Sequence, residues 1–312
     1  VSKEITRVHF VPSMHAIFLE YISTFEDVSK LHKLDYFFSS GERLNKTLIQ
    51  KFNKLIYSIT KARLVNLYGP TEATIEVTSY LCPINIISEE NSIGKPINNS
   101  KIYILDNHLN RMPVGFLGEI YIEGIQVARG YIGRKQFTEK VFFESPFNSG
   151  RKLYKTGDIG RWNSQGNIEC LDRKDTQIKL RGYRIELNEI ILVMESFETV
   201  NHGAVIVHNE NLVGFYSGKK VDSDVLRVHM KLFLPEYMVP SQFKHVENWP
   251  ITVNGKTNTK ALRESYTTTN ISNVIKKYEE GILADIWKSL LKVDHVRSND
   301  NFFALGGHSL LA

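Results

Sequence analysis

From residue 6 to about residue 78 the chain alternates short apolar runs (8–11, 36–38 and 64–67) with amphipathic stretches such as 44–59. That rhythm belongs to α/β layering, with parallel strands buried on both faces beneath helices. From about 93 to 171 the texture changes. Gly and Pro punctuate short alternating runs at 101–105, 118–122 and 167–171, which predicts antiparallel sheet or a distorted barrel. Residues 177 to about 262 mix strand patterns (204–208, 212–217) with helical ones (187–195, 222–231) and read as a small α+β unit. Residues 265–273, including Thr267, Thr268, Thr269 and Asn270, are polar and featureless, a predicted linker. Beyond it Ile282, Ile286 and Leu290 recur at helical spacing and predict the first helix of a further domain.

A length of 312 residues with 42% hydrophobic content suffices for two domains and a stub. No apolar run reaches the length of a membrane span, and nothing resembles a signal peptide. Cys82 and Cys170 show neither metal-ligand nor CxxC spacing, so two reduced thiols in a cytoplasmic protein are expected. The net charge of +5 is spread without a basic tract, a solvated surface and not a nucleic-acid footprint. A start at Val1, not Met, that opens into an apolar stretch at residues 8–10, and an end three residues after Ser309, suggest a slice of a longer polypeptide.

Four segments could carry chemistry. Tyr68-Gly69-Pro70-Thr71-Glu72 follows a strand and turns sharply; its ring, hydroxyl and carboxylate suit a nucleotide, though an ordinary turn reads the same. In Tyr154-Lys155-Thr156-Gly157-Asp158, the Asp could accept two hydrogen bonds from a ribose diol or form an Asx turn. The charged stretch 172–186 could be merely a wet hairpin. Asn254-Gly255-Lys256 points a lysine outward from a turn, toward solvent or a phosphate. Separately, Gly306-Gly307-His308-Ser309 presents a hydroxyl at the start of an apolar run, and read alone Ser309 is a helix cap.

Taken together in this order, these segments resemble the adenylation domains of nonribosomal peptide synthetases, within the adenylate-forming enzymes. The stretch D-x-F-F-x-L-G-G-H-S-L-L resembles the attachment site of peptidyl carrier proteins. Ser92-Ile93-Gly94-Lys95-Pro96, the segment 118–124 and Ala128-Arg129-Gly130-Tyr131 match as well. The resemblance implies an α/β fold made of the C-terminal part of a large adenylation subdomain (layered α/β plus distorted barrel, 1–175). A small α+β subdomain (176–264), the linker and a truncated helical carrier domain (274–312) would follow.

It also implies a reaction: ATP-dependent activation of an amino acid, then thioester transfer to a phosphopantetheinyl carrier, in the service of secondary metabolite synthesis. Tyr68 would stack on adenine, with Ser40, Gly41 and Glu42 lining its other side. Thr71 would contact phosphate, and Glu72 would help hold Mg²⁺. Asp158 would bind the ribose hydroxyls with Arg173 nearby. Asp175 would be a hinge, and Gly182 would face the pantetheine tunnel. Lys256 would bridge the substrate carboxylate and the α-phosphate. Ser309 would carry 4′-phosphopantetheine, placed there by a phosphopantetheinyl transferase. The chain's own carrier and neighbouring synthetase domains would be its partners, with no role for nucleic acid or membrane.

The resemblance places His9, Phe37, Ser39, Leu67, Ile75 and Glu76 along the side-chain pocket. The pattern resembles serine-activating domains, with Glu76 where Asp is usual, so L-serine is the expected substrate, ahead of threonine or a small basic amino acid. Asn258 and Thr259 replace the usual Asp and Arg after the lysine, and Asn188 stands where Gly is common. The family's Gly/Ser/Thr-rich phosphate loop lies upstream of this sequence, so the isolated segment is expected to be inactive. Three rivals remain: an aminoadipate-reductase-like enzyme, an acyl- or aryl-CoA ligase, and a degenerate, non-catalytic nucleotide-binding module.

Overall fold

The structure, a computed structural model, describes residues 4–24, 31–85, 92–209, 211–252, 256–272 and 282–291, with single residues at 293, 296, 302 and 305. The chain divides into two compact units, Val1–Arg184 and Ile185–Ala312.

The first unit opens with three parallel strands, β1 (Arg7–Phe10), β2 (Tyr36–Ser39) and β3 (Arg63–Tyr68). Between them run α1 (Pro12–Ser23), α2 (Lys46–Phe52), a π-helical turn at Asn53–Tyr57 and the short α3 (Ser58–Thr60). Leu19, Ile22, Phe37, Phe52, Ile56 and Leu64 form the core where helices meet sheet. Asn45 caps α2 by accepting the Leu48 amide at 2.8 Å. Val11, the residue before α1, offers no side-chain cap; Glu42 supplies one from a distant loop, accepting the Ser13 amide at 2.9 Å. The expectation of strands buried on both faces needs correction for β1. It lies at the end of the sheet order with Arg7 and His9 exposed, so one face alternates with solvent.

After β3 the sheet becomes antiparallel through β4 (Thr78–Leu81) and β5 (Ser92–Pro96). The same path continues with β6 (Ser100–Leu105), β7 (Gly118–Gly124), α4 (Lys135–Val141), β8 (Phe142–Glu144), β9 (Lys152–Trp162) and β10 (Ile168–Arg173). The strand order is β1-β2-β3-β4-β5-β10-β9-β7-β6, with β8 beside β9. Register shifts at Glu119/Tyr121, Ile168/Glu169 and Cys170/Asp172 add twist, and the sheet curls as such bulges require. Alternation along β7 feeds two cores: Ile120 and Ile122 pack with Tyr154 and Ile168, whereas Tyr121 packs with Tyr103 and Leu153. A two-stranded ribbon, β11 (Gln177–Leu180) and β12 (Tyr183–Glu186), follows.

The second unit is α5 (Leu187–Glu195), β13 (Val200–His208), β14 (Asn211–Gly218), α6 (Ser223–Lys231), β15 (Gln242–His245), α7 (Thr259–Ser272) and α8 (Ile282–Leu291). β13 and β14 pair antiparallel, and β15 joins β14 in parallel. Helix α7 runs through most of the predicted linker, a correction with a simple cause. Asn258 caps its start by accepting the Ala261 amide at 3.1 Å. Leu262 and Tyr266 dock into the core of Ala204, Val213 and Phe215. The following Thr and Ser residues are only mildly unfavourable in a helix, and no Gly or Pro stops it before Ser272. Among the described residues no helix is long and apolar enough to cross a membrane.

Candidate functional site

The strand-end loop after β3 builds the first part of the site. A Cβ on Gly69 would sit 2.1 Å from the Ile75 carbonyl oxygen, so only glycine lets residues 75–76 fold back over it. Thr74 and Ile75, both β-branched, are held at φ of 55° and 74°, a strained region that costs about 1–3 kcal/mol per residue. Inside this loop Glu72 is buried and Thr71 is exposed.

Two donors hold Glu72. The Tyr131 hydroxyl donates to Oε1 at 2.6 Å, and Arg184 Nη1 donates to Oε2. Burial pushes this carboxyl up, but Tyr131 and Arg184 more than offset it, and Glu72 titrates below its ordinary range. Neither partner was assigned to the site from sequence. Tyr131 was legible only as a barrel residue, and Arg184 as one charge in a dense hairpin.

Asp158, on β9, is buried and carries the second cluster. It accepts the Tyr68 hydroxyl at 2.5 Å and Arg173 Nη1 at 2.6 Å. Arg173 also grips Asp175 through Nε and Nη2, both at 2.8 Å. Burial is the main cause that raises the Tyr68 hydroxyl well above its ordinary value, with Asp158 adding to it. Lys179 Nζ lies 5.4 Å from the Tyr68 ring centroid, a cation over the same aromatic face. Tyr68, Asp158, Arg173 and Asp175 therefore form one continuous cluster.

The loop Ser40-Gly41-Glu42 has work of its own. Ser40 Oγ is 2.7 Å from His9 Nε2. Glu42 caps α1 and also accepts the Gly182 amide. Gly41 and Gly182 both have positive φ, and a Cβ on either would meet Val11 Cγ1, at 3.3 and 3.2 Å. The carboxylate of Glu42 is thus engaged in holding loops together.

The residues expected along the side-chain pocket divide between two faces of the sheet. His9 is paired in register with Phe38, and its ring meets Phe38 edge-on at 6.4 Å. Register and alternation put His9, Phe38, Ser40 and Leu67 on one face. Glu76 reaches that face, with Oε1 3.9 Å from His9 Nε2. Phe37 and Ser39 lie on the other face; Phe37 packs on His15 at 4.2 Å and on Phe52 at 5.2 Å. This corrects the expected pocket by one residue: the side chains beside His9 are Phe38 and Ser40. Two aromatic residues followed by two serines read alike in either register, so the sequence alone could not choose. Ile75 is 66% exposed and lies at the rim.

Glu76 is largely covered, and burial is the main cause that pushes its carboxyl up to about 7, against the opposing pull of Ser40 and Lys179. Its Oε2 is buried without a hydrogen-bond partner among the described residues. Lys256 belongs to the second unit and is exposed at the base of a turn whose tip, 253–255, lies outside the described residues. Ser309 and the Gly-Gly-His run also lie outside them. No group of three or more His, Cys, Asp or Glu able to hold a metal occurs among the described residues.

Comparison with known proteins gives a consistent picture. The family of AMP-binding enzymes matches residues 2–132. A plipastatin synthase polypeptide of Bacillus subtilis (strain 168) is 39% identical over 99% of this chain, which spans 9% of that protein. Zwittermicin A synthase ZmaJ of Bacillus cereus is 41% identical over 84% of this chain, which spans 51% of it. Among solved structures, PA1221, an NRPS protein with adenylation and PCP domains, superposes with a TM-score of 0.76 and 24% identity, over 99% of this chain and 51% of that one. That likeness speaks for a mixed α/β adenylation fold with a curled sheet. The chain spans from about a tenth to about half the length of these relatives.

Proposed function

Because the chain belongs to the AMP-binding enzymes, as an adenylation-domain segment of the nonribosomal peptide synthetase kind, we propose that it activates an amino acid with ATP and passes it as a thioester to a phosphopantetheinyl carrier. In the first half-reaction a substrate carboxylate oxygen attacks the α-phosphorus, and pyrophosphate leaves. In the second the carrier thiolate attacks the acyl carbon, and AMP leaves. The observation that carries this reading is the Tyr68–Asp158–Arg173 cluster beside the Glu72 loop, which brings together an aromatic ring, a carboxyl group and a cation.

In this reading Asp158 exchanges its bond with Tyr68 for the ribose hydroxyls, and Tyr68 keeps its ring for adenine. Thr71, exposed at the loop tip, contacts phosphate. Glu72 would help hold a magnesium ion in exchange for its bond with Tyr131 or Arg184: it is a buried carboxylate held ionised, and such ions take one or two carboxylates besides phosphate oxygens. Bound there the ion would neutralise phosphate charge. Lys256 stabilises charge on the α-phosphate in the first half-reaction. The segment 1–175 would be part of the large subdomain, 176–264 the small subdomain, and 274–312 the start of the carrier, tethering through Ser309. Asp175 would be the pivot and Gly182 part of the thiol's path.

For the substrate we favour L-serine. His9, Ser40 and Glu76 offer polar contacts, Phe38 and Leu67 limit size, and the unpartnered Glu76 Oε2 can accept from a small hydroxyl. A site built to bond a hydroxyl rejects the analogue lacking it by roughly 10⁴-fold. The test is amino-acid-dependent ATP–pyrophosphate exchange by the intact adenylation module carrying this segment, each standard amino acid tried singly. Exchange with serine that disappears in Lys256→Ala supports both parts. Exchange with another amino acid refutes serine alone, and no exchange with any amino acid refutes activation of a standard amino acid.

A further inference from the structure

The turn that presents Lys256 is tied to the core of the second unit by two side chains that neither the motif nor the proposed chemistry uses. Its base is closed by the Ile251–Thr257 bridge and by the Thr252 amide donating to the Lys256 carbonyl at 2.7 Å. The Lys256 amide donates to Thr252 Oγ1 at 3.2 Å, and the Asn258 amide to the Pro250 carbonyl at 2.9 Å. Across this base Trp249 Nε1 donates to Thr257 Oγ1 at 3.2 Å. Trp249 is half-buried against the core of Ala204, Ile206, Phe215 and Leu262, and it stacks on His202 at 5.8 Å. Lys256 is thus flanked by residues on each side of the turn whose partners lie in the unit's core or at the start of α7.

We propose that Trp249 and Thr257 are positioning residues for Lys256: the indole-to-hydroxyl bond fixes the base of the turn, and so fixes where the ammonium group can reach. The proposal rests on the assignment of Lys256 to the adenylation step. A lysine on a flexible four-carbon stem has wide rotamer freedom, so its backbone anchor decides how much of that freedom is spent on unproductive poses. Misplacement by about 1 Å can cost roughly 10²-fold in rate. Trp249 supplies the only kind of donor an indole has, and the Thr257 hydroxyl can accept it. Because Lys256 acts in the first half-reaction alone, a defect in its placement shows there and not in transfer to the thiol.

The experiment compares Thr257→Val, Thr257→Ser, Trp249→Phe and the Trp249→Phe/Thr257→Val double variant in the intact module, with Lys256→Ala alongside. Thr257→Val removes the hydroxyl at nearly constant volume, and Thr257→Ser restores it. The expected result is a fall of about 10- to 100-fold in the kcat of amino-acid-dependent pyrophosphate exchange for Thr257→Val and Trp249→Phe, with KM for ATP little changed. Thr257→Ser stays near the parent. The double variant is no worse than the singles, the non-additivity expected when both remove one interaction. Thioester formation from supplied aminoacyl-adenylate is unchanged. Full exchange in Thr257→Val while Lys256→Ala is inactive overturns the positioning role and leaves the proposed chemistry standing. Exchange retained by Lys256→Ala overturns the lysine's assignment instead. Equal losses in both half-reactions, or a loss that Thr257→Ser does not rescue, mean a merely structural contact and also overturn the inference.

Discussion

Arg184 closes an ion pair on Glu72 across 112 residues of sequence, and the same carboxylate also accepts the Tyr131 hydroxyl. The Glu72 side chain is only 9% exposed, so the pair sits where breaking it leaves a charge poorly solvated. Arg184→Gln should destabilise the first unit by about 2 kcal/mol, less than the 3–5 kcal/mol typical of full burial because the arginine remains partly solvated. The deficit should be smaller in acid. Glu72 titrates below its ordinary value, so its contribution is complete above that value and disappears as pH falls through the depressed one. Urea midpoints at pH 7 and pH 3.5 check this; equal deficits at both would show that the ion pair is not the source.

Glu76 has the opposite sign. Its carboxyl is raised from an ordinary 4.5 to about 7, so the folded state holds a proton that the unfolded chain has released. Its contribution to stability therefore falls as pH rises from about 4.5 to about 7 and is flat above, since both states are then ionised, a slope opposite in sign to that of the buried His15. Glu76→Gln should remove that slope and make the protein more stable at pH 8 than its parent, while weakening binding of a hydroxylated substrate. Denaturant midpoints across this range are the measurement. A difference between the parent and Glu76→Gln midpoints that stays constant between pH 5 and pH 7 would show that Glu76 is ionised throughout.

How much of this was readable beforehand follows from what each signal encodes. The parallel strands, the switch to antiparallel sheet and most helices were legible, because their burial follows apolar period directly. That Phe38 and Ser40, and not Phe37 and Ser39, share the face of His9 was not legible, because a period of two fixes alternation but not phase. Only the register of β1 on β2, with His9 opposite Phe38, supplies the phase. The extension of α7 was hidden because Thr, Ser and Asn runs suit linkers and helix ends alike; the Asn258 cap and the docking of Leu262 and Tyr266 decide it. The same cap makes the Asn at 258 physically equivalent to Asp in that role. Arg184 and Tyr131 could not be assigned to Glu72 from sequence, since neither spacing nor charge pattern shows which carboxylate a distant arginine meets.

Glu42 offers a test of its structural contacts. One carboxylate caps α1 through Ser13 and holds the Gly182 turn, whose φ of 80° already excludes most residues. Glu42→Ala should cost about 1–2 kcal/mol through the lost cap alone. Gly182→Ala should cost about 1–2 kcal/mol from left-handed strain, besides a contact with Val11. If the carboxylate links the two, a melt of the double variant should fall short of the sum of the single losses. Strict additivity would show that Glu42 caps α1 without holding the turn.

His15 is the clearest pH sensor in the first unit. Its ring is fully buried, tilted against Phe37, and neither nitrogen finds a partner among the described residues. Burial lowers its pKa from 6.5 to about 3, because a charged imidazolium there would be desolvated with nothing to pair it. The unfolded chain binds a proton near 6.5 and the folded one resists until about 3, so the contribution of His15 to stability is whole above pH 6.5 and drains away below it. His15→Leu keeps an apolar side chain under the sheet and has no proton to take up. It should be near the parent in stability at pH 7.5, within about 1.5 kcal/mol given the change of shape. At pH 5 it should be the more stable of the two. Thermal melts at both pH values decide the matter: a parent that loses no more stability than His15→Leu on acidification would mean that His15 is already hydrogen-bonded or hydrated in the folded protein.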